Sequence, residues 1–156
     1  MSFELDAYDR KILALLQEDG RMSLSEIGRR IHLTSPAVGE RVKRLEEANV
    51  IEGFGARINL RAIGYSFEAF INVTVDSHPA LEEWARCRPE VLALHATTGT
   101  HCALLRIAVT APEHLQALIT SLGAIGKTTT SIVLSTDFED RPRTPGDLTF
   151  IGMTRS

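Results

Sequence analysis

Cysteine is scarce in this chain. Cys87 and Cys102 stand alone, with no spacing that would build a disulfide framework. Two reduced thiols, as in a cytoplasmic protein, are the expectation. Long apolar runs are missing too. Nothing approaches the ~20 residues a membrane span needs, so no membrane partner is expected. Met1-Ser2-Phe3-Glu4 has neither the basic nor the apolar region of a secretory signal, and a cytoplasmic location is the expectation. Positive charge is not in excess: 17 Lys and Arg against 20 Asp and Glu leave a net charge of −3 and a pI near 5.9. That argues against a broadly basic coat that clings to any polyanion.

Catalytic signals are thin. No Ser-His-Asp or paired-carboxylate arrangement can be built from local sequence, so no enzyme and no cofactor are expected. His95, His101 and Cys102 lack the short paired spacing of metal ligands, and no Asp or Glu lies between His95 and His101, so no metal is expected. His95 reads as a half-buried strand residue and Cys102 as a small apolar filler. Gly123-Ala124-Ile125-Gly126-Lys127-Thr128 resembles half a phosphate-binding loop, but Ser121 stands where that loop needs another glycine. The context is also reversed, helix to strand, so Gly123 and Gly126 read as turn punctuation.

What is present is enough apolar residue for two small cores. At 156 residues and 44% hydrophobic, each half would hold about 60–90 residues, a marginal size that favours oligomerisation. The chain is organised around Ser23 to Ala48. Leu24, Ile27, Gly28 and Ile31 share one helical face; Val38, Val42 and Leu45 share another at i, i+4, i+7. His32-Leu33-Thr34 joins the two blocks, Thr34 is a good N-cap, and Pro36 sits in the first turn. Two amphipathic helices with so short a connection follow the helix-turn-helix plan. A helix over 6–17, with Leu5, Tyr8, Ile12, Leu15 and Leu16 as its apolar stripe and Asp6 as its cap, completes a three-helix core.

At ~100° per residue, the face opposite Val38, Val42 and Leu45 carries Pro36, Ala37, Glu40, Lys43, Arg44 and Glu47, with Ser35 and Gly39 flanking it. Small residues at the N-terminal end allow close approach to a duplex, and basic residues can hold its phosphates. From Arg21 to Arg44 there are six basic residues against Glu26 and Glu40, a local +4 in an acidic chain. Such a patch is the footprint of phosphate contact. The candidate DNA-binding residues are therefore Ser35, Pro36, Gly39, Glu40 and Lys43 for bases, and Arg41, Lys43 and Arg44 for phosphates. Glu40 repels phosphate but can accept from cytosine N4.

Residues 51–60 alternate after two glycines and read as a strand and hinge, giving a division into 1–50, a 51–64 linker, and 65–156. Past Gly64 the pattern predicts strands over 67–75, 91–98, 103–110 and 128–135, helices over 79–88 and 112–123, and a hairpin loop at Gly99-Thr100-His101. The order βαββαβ is the ferredoxin-like unit. One face of such a sheet is bare, which predicts a dimer through the sheets. Leu148 to Ile151 could add an edge strand. The Thr128-Thr129-Thr130-Ser131 run fits a strand on propensity alone, and its hydroxyls could equally bond a polar ligand.

Leu24-Ser25-Glu26-Ile27-Gly28, Thr34-Ser35-Pro36-Ala37-Val38, Arg41-Val42-Lys43-Arg44-Leu45-Glu46 and Asn49-Val50-Ile51-Glu52-Gly53-Phe54 together resemble the N-terminal signature of the Lrp/AsnC (feast/famine) transcription regulators. The resemblance runs through nearly the whole chain. It implies an α+β protein: an N-terminal winged-type helix-turn-helix domain on double-stranded DNA, and a C-terminal ferredoxin-like domain. It further implies a homodimer that assembles into an octamer, and a small-molecule effector, commonly an amino acid, at an interface of the C-terminal domains. The effector segments would be Gly99, Thr100 and His101, together with the stretch holding Leu122, Gly123, Thr129, Thr130 and Ser131. Three departures from the pattern stand out: His32 where the turn usually has glycine, Gly39 inside the second helix, and Glu40 at the centre of the outward face. A fourth lies in Thr98-Gly99-Thr100-His101-Cys102-Ala103-Leu104-Leu105, where Thr100 and Cys102 replace the usual acidic residues. A mainly architectural, DNA-wrapping protein without amino-acid response is the alternative.

Overall fold

A computed structural model describes residues 4–139 together with 142 and 143. The described residues fall into two compact units, one of 4–57 with the C-terminal residues from Phe138 on, the other Ile58–Asp137.

The first unit is three helices, α1 (Ala7–Glu18), α2 (Leu24–Ile31) and α3 (Ser35–Glu47). Each begins where a side chain takes up an orphan N–H. Asp6 accepts from the amides of Tyr8 and Asp9, and Asp9 returns the bond to the Asp6 amide in a capping box. Ser23 accepts from the Glu26 amide at 3.2 Å, and Thr34 from the Ala37 amide at 3.4 Å. Between α2 and α3 the chain turns through His32 at φ 60°, ψ 42°, the left-handed region where glycine is usual. Ile12, Leu13, Ile27, Ile31, Val38 and Leu45 form the core. Tyr8, expected in the apolar stripe, is instead 39% exposed, its ring beside the cations of Lys11 and Arg41.

The strand expected over 51–60 does not form. Among the described residues this segment has no ladder and runs into a 3-10 turn, Arg61–Ile63. Alternation makes a strand only where a neighbouring strand offers partners, and among the described residues this segment has none. Toward the C-terminus, Arg143 exchanges two hydrogen bonds of 2.7 Å with the Gln17 side chain of α1. The edge strand expected at 148–151 lies outside the described residues.

The second unit is β1 (Phe67–Val75), α4 (His78–Arg86), β2 (Val91–Ala96), β3 (Ala103–Val109), α5 (Pro112–Gly123) and β4 (Gly126–Ile132). The strands form one antiparallel sheet in the order β2-β3-β1-β4. This is the βαββαβ arrangement the sequence predicts, with β2 and β4 each a few residues shorter at the C-terminal end than expected. Ala69, Ile71 and Val73 of β1 and Ala103, Leu105, Ile107 and Val109 of β3 point to the helix layer, where Leu81, Ala85, Leu115, Leu118 and Leu122 cover them. Glu68, Phe70, Asn72 and Thr74 alternate to the opposite face, where Glu68 pairs with Arg106 at 2.7 Å.

Candidate functional site

The outward strip of α3 is Pro36, Glu40, Lys43 and Glu47, all exposed, with Ser35 half-buried at its start. Val38 and Leu45 are fully buried on the other side. Lys43 is 76% exposed, its ammonium 3.6 Å from Glu47 one turn on. Gly39 is half-buried and faces α2: a methyl group there would sit 3.3 Å from Leu24 Cδ1. Its small size serves the approach of the two helices.

The three cations expected to hold phosphate are placed differently from one another. Lys43 stands in solvent. Arg41 turns back onto α1, donating to Asp6 Oδ2 at 2.6 Å and Asp9 Oδ1 at 2.8 Å, with its guanidinium 5.3 Å from the Tyr8 ring centre. Arg44 donates to Asp9 Oδ2 at 2.7 Å and is half-exposed. Asp9 is completely buried, and both of its oxygens are occupied by arginine and by the Asp6 amide. The Asp9 backbone N–H and the Arg41 guanidinium hold the Asp6 carboxyl at about 2, below its ordinary 3.8. Asp6 in turn is the main reason the Arg41 guanidinium holds its proton more tightly than usual.

On α2, Glu26 accepts from Arg29 at 2.7 and 2.9 Å and from Arg30 at 2.8 Å, which brings its carboxyl down to about 2. The +4 counted along the sequence is therefore offset in space, because Asp6 and Asp9 lie outside the counted window and fold onto it. Sequence reading missed Asp9. The signal was there in the wheel: Arg41 falls beside the buried stripe of α3, not on the opposite face.

In the second unit the two segments expected to form an effector site meet at the end of β1. Thr74 Oγ1 donates to the Thr100 carbonyl at 3.3 Å and lies 3.3 Å from His101 Nδ1, while the Thr74 backbone pairs with Lys127 of β4. Gly99 takes φ 107° in the connecting loop, and Thr97 Oγ1 donates to the His101 carbonyl at 2.9 Å. Beside them is an open recess of about 320 Å³ lined by Thr74, Val75, Asp76, Gly123, Ile125, Gly126 and Lys127. Lys127 lies within the expected stretch from Leu122 to Ser131, whereas Thr74 and Asp76 were not among the expected site residues.

The remaining expected residues separate. Leu122 is fully buried in the core. Thr129 and Ser131 pair with Asn72 and Phe70 and share the face away from the helices, whereas Thr130, paired with Ile71, points to the helix side. One strand cannot present Thr129 and Thr130 to the same ligand face. Cys102 Sγ sits among the backbone of Val73 and Val75, 3.3 Å from the Val75 amide. Among the described residues no group of three His, Cys, Asp or Glu side chains gathers to hold a metal. No helix among them is long and apolar enough to cross a membrane.

Comparison with known proteins matches both units. Residues 5–46 fit the AsnC-type helix-turn-helix domain, and 68–142 the Lrp/AsnC ligand binding domain. An HTH-type transcriptional regulator of Pyrococcus horikoshii is 43% identical over 141 residues, 85% of this chain and 87% of that protein. Among solved structures, a feast or famine regulatory protein from M. tuberculosis complexed with L-methionine is 32% identical with a TM-score of 0.81, covering 91% of this chain and 100% of that one. A transcriptional regulator from Neisseria meningitidis in complex with L-Met is 29% identical with a TM-score of 0.83, covering 93% and 99%. With a helix-turn-helix unit and a ligand-domain unit each matched in place, the chain belongs to the Lrp/AsnC family of transcriptional regulators.

Proposed function

We propose that α3 enters the major groove of double-stranded DNA with Ser35, Pro36, Glu40 and Lys43 toward the bases, and that Lys43 and the N-terminal amides of α3 hold phosphate. The observation that carries this reading is the strip of Pro36, Glu40 and Lys43, solvent-facing on a capped helix whose other side is core. Arg44, half-exposed, adds phosphate contact at the flank; Gly39 acts through helix approach, and Arg41 through α1. Reversing the charge with Lys43→Glu should weaken binding in a gel shift by about tenfold or more, and unchanged binding would contradict the reading.

The effector is an amino acid, bound where the Gly99–Thr100–His101 loop and the start of β4 flank Thr74. The L-methionine complexes of two relatives support this over the architectural alternative, which has in its favour only the loss of the acidic residues at Thr100 and Cys102. Asp76 suits the ammonium group and Lys127 the carboxylate, in place of the acidic residues replaced by Thr100 and Cys102. Thr129, two residues from Lys127 on the same face of β4, adds its hydroxyl to this site, and Ser131 belongs to the face that a second copy would cover, in a homodimer that assembles to an octamer. The division into 1–50, 51–64 and 65–156 remains our reading of the chain's modules, with a cytoplasmic, non-enzymatic role. Thermal melting against L-methionine and the other common amino acids tests the effector: one of them must raise the melting temperature, and no shift with any would sink the proposal.

A further inference from the structure

Asp9 is the one buried charged side chain among the described residues, and it lies under the recognition helix. Its two oxygens accept from Arg41 at 2.8 Å, from Arg44 at 2.7 Å and from the Asp6 amide at 3.1 Å. Arg41 is further gripped by Asp6 and by the Tyr8 ring. Two arginines one turn apart on α3 are thus tied to a single point on α1. A buried carboxylate near a DNA-binding surface repels phosphate, so on charge alone it opposes the function. We propose that Asp9 is a positioning residue for DNA recognition: through Arg41 and Arg44 it fixes the rotation of α3 about its own axis.

The inference rests on the reading of α3 as the DNA-contacting helix. The geometry supports a rotational lock. Val38 and Leu45 are apolar contacts that a helix can slide over; charge-assisted bonds from residues 41 and 44 to one buried carboxylate are directional. They decide whether Pro36, Glu40 and Lys43 face outward together. Base readout needs that alignment, whereas sequence-independent phosphate attraction does not. Loss of the Asp9 charge should therefore harm specific binding and spare or strengthen nonspecific binding, since two guanidinium groups are released.

The test uses the full chain with two probes: a duplex enriched by the wild-type protein from a randomised pool, and a scrambled duplex of equal length and composition. Affinities are measured by fluorescence anisotropy across a salt series. For Asp9→Asn the expected result is a loss of about tenfold or more on the enriched duplex, with equal or tighter binding to the scrambled one. A preserved ratio between the two duplexes, whether both tighten or both weaken, overturns the proposal. If Asp9→Asn melts below the assay temperature, Arg41→Gln carries the test. The lock predicts a lower ratio with an unchanged salt slope; a slope smaller by about 1 would make Arg41 a phosphate contact and overturn the lock. Lys43→Ala, run in parallel, reports on the underlying reading. If it changes neither affinity nor slope, α3 is not the interface and both fall; if it weakens binding while Asp9→Asn keeps the ratio, only the lock falls.

Discussion

The α-carbon of Gly28 faces the carbonyl of Leu33 so closely that a methyl group on it would lie 2.4 Å from the oxygen. The Leu33 amide at the same time donates to the Gly28 carbonyl at 2.9 Å, so the turn between α2 and α3 folds back on this residue. That contact sets how tightly the turn between α2 and α3 closes. Gly28→Ala should destabilise the first unit by about 1–3 kcal/mol, the range for overpacking against atoms that cannot move freely. Urea unfolding followed by helical circular dichroism checks it.

His32 presents the opposite case in the same turn. Its φ of 60° is a strained choice for a side chain with a Cβ, and the imidazole is exposed. His32→Gly should raise stability by up to about 1 kcal/mol, relief of backbone strain outweighing the added freedom of the unfolded chain. A higher urea midpoint with an unchanged slope is the expected observation.

Asp6 links stability to pH. Its carboxyl is held at about 2 in the folded protein against an ordinary 3.8. A depressed folded pKa contributes stability that is complete above the unfolded value and is lost as pH falls through the folded one. Wild type should therefore lose melting temperature between about pH 5 and pH 2 more steeply than Asp6→Asn. Asparagine keeps the helix cap, so the difference isolates the charge.

How much of this was legible in the sequence differs between the units. In the second, alternation and helical spacing are dense enough to predict all six elements, because each strand buries one face and the pattern records it. The first unit yielded its caps and turn, since Thr34, Pro36 and Asp6 act on their own neighbours. Residues 51–60 misled, because period-two alternation does not say whether a partner strand exists. Arg41 misled for a related reason: a charge count along the chain cannot see Asp9, 32 positions away, folding beneath it. The threonine run shows the same gap. Four hydroxyls in a row read as one polar surface, and the pleat sends them alternately to two.

That alternation yields a prediction for the effector. Thr129 lies on the face away from the helices and Thr130 on the helix side. Thr129→Val should cut the amino-acid-induced rise in melting temperature by half or more, while Thr130→Val leaves it intact. Valine keeps strand propensity in both, so the contrast reads the hydroxyl. Equal effects would place the ligand elsewhere.

Whether the outward strip of α3 meets DNA can be probed directly through its lysine. The chain has three lysines, Lys11, Lys43 and Lys127, carried on α1, α3 and β4. Acetylation of each can be timed by mass spectrometry with the protein free and saturated with the enriched duplex. Lys43 should slow by about tenfold or more in the complex, as expected for an ammonium held against phosphate, while Lys127 keeps its free rate. Lys43 reacting in the complex as fast as in the free protein would contradict this reading of α3.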